Sequence, residues 1–231
     1  AVFGTPLAGA VFAIEVLFTG FRRLEAGKLV PLMAAGFVGD AVCMAWGAAH
    51  TTYHLPVPAN AGWFAAFDAL LLLKVAVAGA AFGLAARLVA ALAHRLQQGF
   101  ARLASWPPLR PVLGGLLVIG LTMALGTRDY LGLGVHAPPG GTVSIVSAFH
   151  EGGAGPLSWF WKTLFTAITV ASGFKGGEVT PLFFIGATLG NTMSEVLHGP
   201  AALFAAVGFI AVFAGAANTP LACLIMGIEL F

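Results

Sequence analysis

The chain has 231 residues, of which 9% are charged and 59% apolar, with a formal net charge of +2 at neutral pH and a mean hydropathy of +0.94. A water-soluble domain carries about 25% charged residues, so most of this surface cannot face water. So few charges leave no nucleic-acid footprint. The 31 glycines fall inside apolar runs, as in membrane helices where small residues let backbones approach.

The chain opens Ala1-Val2-Phe3-Gly4, without Met or a charged leader, and stops inside an apolar run at Phe231. We read it as one transmembrane domain, 1–231, taken from the middle of a longer protein. Its apolar segments run 5–21, 29–49, 64–94, 109–126, 157–171, 180–197, 199–217 and 219–231. About 20 apolar residues cross the hydrocarbon as a helix; several segments suffice, whereas 180–197 is short and 219–231 shorter still. Such short segments, bounded by Gly and Pro, predict helices that start or stop part-way across the bilayer. Because the runs are continuous rather than alternating, a β-barrel is disfavoured. The expected fold class is all-α and polytopic.

Lys and Arg set the orientation. Arg22, Arg23 and Lys28 follow the first segment, His50 to Trp63 has neither residue type, and Arg95, Arg102 and Arg110 follow the third. This alternation puts 22–28 and 95–110 in the cytoplasm and 50–63 outside. The connection Thr127 to Pro156, with Arg128 alone, returns outside.

The two ends resemble each other. Thr5-Pro6-Leu7-Ala8 followed by Ile14-Glu15 matches Thr219-Pro220-Leu221-Ala222 followed by Ile228-Glu229, six identities over 13 aligned positions. Apolar helices share Leu, Ala and Ile by chance, but Thr-Pro and Glu at fixed spacing are harder to match that way. Pro suits a first helical turn, where its missing N–H is not needed. Two copies of one helix separated by spanning segments suggest an inverted repeat.

The most informative stretch is Ser172-Gly173-Phe174-Lys175-Gly176-Gly177-Glu178-Val179-Thr180-Pro181. Glycines permit an unwound backbone, and Pro181 fixes φ for a new helix. The first N–H groups of that helix lack intrahelical partners; with the positive end of the dipole they form an anion site needing no cationic side chain. In a membrane, irregular backbone survives only where it is buried in protein or lines a cavity. The plainer alternative is an ordinary interhelical loop with a good cap. Glu178 lies at the break, and an ionisable group at membrane depth is a functional candidate because it must be paired, solvated or protonated. Equally, it could simply cap the helix. The Thr180 hydroxyl can reach the carboxylate, an ion or a helix N–H.

Other polar residues read more plainly. Glu15 and Glu229, repeated at equivalent positions, point to a structural role at helix ends. Asp40 and Lys74 lie inside apolar runs and could pair or line a polar interface. Arg128-Asp129-Tyr130 reads as an interfacial loop with a local ion pair and an aromatic anchor. His150-Glu151 lacks a second His at helical spacing, so no zinc site is expected, and no phosphate-binding loop is present. Cys43 and Cys223, far apart in apolar segments, are expected to be structural rather than a disulfide or metal pair.

These residues resemble the CLC chloride channel family. Thr5-Pro6-Leu7-Ala8-Gly9 with Phe12 and Glu15 is similar to its Pro-Leu-Ala-Gly helix ending in Glu. Gly176-Gly177-Glu178-Val179-Thr180-Pro181 aligns with its Gly-Gly-Ile-Phe-Ala-Pro segment, whose backbone amides bind the central anion. Ala217-Asn218-Thr219-Pro220-Leu221 resembles its second-repeat helix. The resemblance covers essentially the whole chain. Glu-Val-Thr at 178–180, where chloride members carry an apolar pair and Ala, resembles the fluoride/proton antiporter branch. That resemblance implies Glu178 as the proton-coupling residue, and Gly176, Gly177, Val179 and Thr180 as the anion-binding set. Chloride exchangers place an inner proton-transfer Glu where Val16 stands here. The family's gating Glu precedes Ala1, and its central Tyr follows Phe231.

The resemblance further implies a homodimer built on the repeated helices, in a bacterial inner membrane. The expected activity is fluoride export against protons without a cofactor, and a chloride channel or chloride/proton exchanger is the near rival. An intramembrane enzyme would need clustered His and carboxylates, whereas the six His residues are scattered at 50, 54, 94, 136, 150 and 198.

Overall fold

A computed structural model describes residues 3–17, 26–48, 51–53 and 68–231. Arg22, Arg23, His50, and the part of the outer connection from 54 to 63 lie outside them, as does the side chain of Lys28. The described residues form eight α-helices and no strand: α1 Pro6–Leu17, α2 Ala26–Ala45, α3 Ala69–Leu103, α4 Leu109–Leu125, α5 Ser158–Ala171, α6 Val179–Leu197, α7 Ala201–Ala217 and α8 Pro220–Leu230. Among these residues a 3₁₀ turn also covers Ser147–Phe149.

By length and composition, α3 is long and apolar enough to cross a bilayer unaided. Its 35 residues extend about 52 Å at 1.5 Å per residue, beyond the roughly 30 Å of hydrocarbon. The third segment therefore runs further than expected from its apolar content. Arg95 and Arg102 sit on exposed turns of α3 itself, not in a connection. Once past hydrocarbon a helix needs only good helix formers, and Ala, Leu, Arg and Gln supply them; one turn apart, Gln98 and His94 also meet at 2.9 Å.

The terminal repeat folds into a reciprocal pair. Leu7 N–H and Ala8 N–H, in the first turn of α1, donate to the Glu229 carboxylate at 3.0 and 2.8 Å. Leu221 N–H and Ala222 N–H, in the first turn of α8, donate to the Glu15 carboxylate at 3.0 and 2.7 Å. Each helix thus brings the anion that the other's N-terminus lacks, which satisfies orphan donors and complements the dipole. Such reciprocity requires the two helices to run antiparallel with matched spacing, which explains why the Thr-Pro-to-Glu interval is the same in both. Thr5 and Thr219, immediately before each helix, are buried. The repeated glutamates are structural, as expected, but they cap a partner helix rather than anchoring a helix end at the membrane surface.

The core lies between α6 and α7. A Cβ on Gly186 or Gly190 would collide with the backbone of Gly208 or Phe204, and one on Gly208 with Gly186 O. This Gly-x-x-x-Gly approach brings two backbones together, as small residues do between membrane helices. Beside it Phe183 stacks on Phe209, centroids 3.9 Å apart and planes 11° from parallel. Phe213 meets Phe183 edge-on at 5.2 Å.

Several sequence expectations change. Asp40 and Lys74 do not pair: Lys74 Nζ donates to His198 O at 3.0 Å, and buried Asp40 Oδ1 has no partner among the described residues. Among the described residues Asp129 forms no ion pair with Arg128; its Oδ1 accepts from Thr142 N–H at 3.1 Å and so closes the loop. Tyr130 is not a surface anchor, since its ring packs at 6.0 and 6.3 Å on Phe165 and Phe184. A buried carboxylate gains more from backbone donors than from a flexible exposed Arg, and an aromatic gains more from core contacts than from a headgroup region. Both cysteines are free.

Removing either capping carboxylate, Glu15→Ala or Glu229→Ala, should lower stability by about 1–2 kcal/mol. Chemical unfolding in detergent measures this, and an unchanged midpoint in both variants would show the caps to be idle. Gly186→Val should separate α6 from α7 and lower stability by about 1–3 kcal/mol or more in the same assay.

Candidate functional site

The break between α5 and α6 is built by ordinary local chemistry. α5 ends at Ala171 with Ser172 as its C-cap, where Ser172 Oγ donates to Thr169 O at 3.0 Å. Gly114 of α4 lies against that serine, so closely that a Cβ there would overlap it. Gly173 then takes φ +98°, a region closed to side chains with a Cβ. The sequence reading assigned the unwound backbone to the glycines of this stretch as a group. The structure places the left-handed turn on Gly173 alone: Gly176 and Gly177 are exposed without positive φ, and a Cβ at either meets nothing within 4 Å.

α6 restarts at Val179 with Glu178 as N-cap. Pro181 occupies the third helical position and has no N–H to satisfy. Glu178 makes no side-chain cap bond, and its backbone oxygen accepts from Leu182 N–H at 3.3 Å. Among the described residues Val179 N–H and Thr180 N–H donate to no protein acceptor. The contrast with α1 and α8 is direct. Those N-termini are filled by protein carboxylates, while the start of α6 presents bare amides and the same dipole. Such an arrangement is able to hold a small anion.

Two cavities, each of about 270 Å³, flank the break and share Thr166 and Val170 of α5 as a wall. One is lined by Glu178, Val179 and Leu182 with Phe12 of α1, Val89 of α3 and Phe213 of α7. The other is lined by Gly176, Gly177 and Pro181 with Lys162, Tyr130 and Leu133. The expected site residues are therefore together in space but divided: Glu178 and Val179 face one cavity, Gly176 and Gly177 the other. Thr180, the next residue after Val179, is half-buried and forms no side-chain hydrogen bond with Glu178. Glu178 is exposed, at the helix start and not remote from it.

The residue that sequence reasoning overlooked is Lys162. It lies in the apolar run 157–171 and is only 1% exposed. A lone charge inside that run was the available signal, since charges at membrane depth are rare and mark function.

The described residues thus form a polytopic helical membrane fold with a repeated, reciprocally capped terminal helix and an open helix N-terminus. The family model described as voltage gated chloride channel matches residues 1–231; the chain belongs to that family, in agreement with the sequence resemblance. It is 45% identical over 231 residues to a chloride/fluoride channel protein of Pseudomonas syringae pv. tomato, covering 100% of this chain and 49% of the relative. A chloride channel protein of Ralstonia nicotianae, described as ClcB-like, is 28% identical over 246 residues, covering 100% of this chain and 52% of the relative. The crystal structure of a CLC-type fluoride/proton antiporter superposes with a TM-score of 0.85 at 30% identity, covering 99% of this chain and 54% of that one. The chain thus spans about half the length of the relatives it matches.

Gly173→Val forces a β-branched residue into the left-handed region and should destabilise by about 1–2 kcal/mol, read by denaturant unfolding. Gly176→Ala should be the milder change, because its backbone needs no positive φ and a Cβ there meets no atom within 4 Å.

Proposed function

We propose that the protein containing this chain exports fluoride in exchange for protons, as a homodimer in a bacterial inner membrane. The observation that carries the reading is the uncapped N-terminus of α6, where Val179 N–H and Thr180 N–H are left without protein acceptors beside the Glu178 carboxylate. In this reading the backbone around Gly176, Gly177, Val179 and Thr180 holds the anion. Fluoride is small and strongly hydrated, so a dry site must replace its water with well-placed donors, and oriented amides do so without reorganising. Glu178 takes up and releases the proton, and Thr180 offers a hydroxyl to the ion or the carboxylate. The names of the relatives support the substrate: one is a chloride/fluoride channel protein, another a CLC-type fluoride/proton antiporter. The dimer rests on the family resemblance of the repeated helices, here α1 and α8.

The rival is passive conduction of chloride or fluoride, favoured by the word channel in the names of two relatives. Both readings use the same helix terminus, and they differ in whether Glu178 couples a proton to the anion. The full-length protein reconstituted in liposomes, followed with a fluoride electrode and an internal pH dye, separates them. Antiport predicts that a fluoride gradient drives protons uphill and that Glu178→Gln lowers that proton flux at least tenfold. Fluoride flux without proton movement in the parent protein would establish the channel, and coupling unchanged in Glu178→Gln would remove Glu178 from its role.

A further inference from the structure

The cavity behind Gly176 and Gly177 is lined by one lysine, Lys162. Its side chain is 1% exposed, and its Nζ donates to Gly132 O at 2.7 Å and Tyr130 O at 3.1 Å. The same nitrogen lies 4.9 Å from the centroid of the Phe184 ring. Among the described residues its partners are therefore two carbonyls and a ring face, and no carboxylate is one of them. An ammonium has three donors and no acceptor; here two go to carbonyls, and the π face lies near the remaining side.

A buried cation without a counter-charge is costly, because carbonyl dipoles and a ring face replace hydration without neutralising the charge. A purely structural donor holding the loop at 130–132 would be better served by a neutral amide. Yet the loop is shaped around this ammonium. Gly134, at φ +74°, sits where a Cβ would come within 3.5 Å of Nζ and strike the Phe184 ring. Lys162 belongs to the wall of a cavity of about 270 Å³ whose other members include Gly176, Gly177 and Pro181. That places Lys162 and the backbone leading into α6 on one partly open cavity.

We propose that Lys162 is the resident counter-charge of the permeating anion. It sets the affinity of the cavity for a halide through its field, without being a ligand. The carbonyls of Tyr130 and Gly132 tether the ammonium, so the anion is attracted electrostatically and keeps no strong contact to break on leaving. Such a role suits transport, since binding must be favourable enough for entry and weak enough for release. The low-dielectric surroundings let one charge act across the cavity. This inference deepens the proposed halide transport and depends on it.

The test uses full-length protein in liposomes, with fluoride and chloride efflux measured against anion concentration for the parent, Lys162→Gln, Lys162→Arg and Lys162→His. Lys162→Gln preserves donors to the two carbonyls but removes the charge; it should raise the KM for fluoride at least tenfold, while Lys162→Arg stays within about threefold. Lys162→His, charged at pH 5.5 and neutral at pH 8, should show a KM change between those values at least tenfold larger than the parent's. That variant carries the test if Lys162→Gln does not fold. A KM within twofold of the parent in folded Lys162→Gln, or a Lys162→His profile that tracks the parent, would overturn the inference and leave halide transport standing. A parent protein that moves neither halide would overturn both.

Discussion

Backbone N–H groups have no water to turn to inside a bilayer, and the fold of this chain follows from where they find partners. A helix that spans the membrane leaves its orphan donors at the surface, whereas one that starts part-way leaves them in the interior. α1 and α8 solve the problem mutually, with the Glu229 and Glu15 carboxylates each closing the other's first turn at 2.7–3.0 Å. That pairing makes an inverted repeat more than a relic of sequence. The first turn of each helix is satisfied by its antiparallel copy, and the two glutamates act as internal stand-ins for an anion at a helix terminus.

The same physics, left unfinished, makes the candidate site. α6 begins beside its own N-cap glutamate but draws no cap bond from it. For bare amides to persist, the helix that bears them must be held by something else. The Gly186, Gly190 and Gly208 contacts with α7 and the stacked Phe183–Phe209 pair hold it a turn or more beyond the break. Rigidity in the body of α6 thus permits an unsatisfied end. A looser helix would rotate or fray until its amides met a carbonyl or a side chain, and the site would be lost.

The loop from Thr127 to Pro156 shows how a segment that reads as surface sends part of its length into the interior. Asp129 closes it on Thr142 N–H. Tyr130 buries its ring against Phe165 and Phe184, and Asn191 of α6 donates to Ala148 O and His150 O at 2.8 and 2.7 Å. Loop and helix are therefore one packed unit. The ammonium of Lys162 enters this unit from α5, and its position depends on all three elements at once.

The amino-acid sequence alone determined the membrane class, the helical fold, the repeat and the break near Glu178. Each is written in local signals: hydropathy runs, a Thr-Pro start, glycines before a proline. Family membership was legible for the same reason, because the motifs are short and contiguous. What only the tertiary structure decided involves partners distant along the chain. Glu15 meets Leu221, Glu229 meets Leu7, Lys162 meets Gly132, and Gly186 meets Gly208. Hydropathy and spacing describe one segment at a time, whereas a carboxylate capping a helix or an ammonium facing a cavity is defined by two or three segments together. For that reason Asp40 and Lys74 suggested a pair that does not form, and Lys162, the charge built into the cavity wall, passed unnoticed in an apolar run.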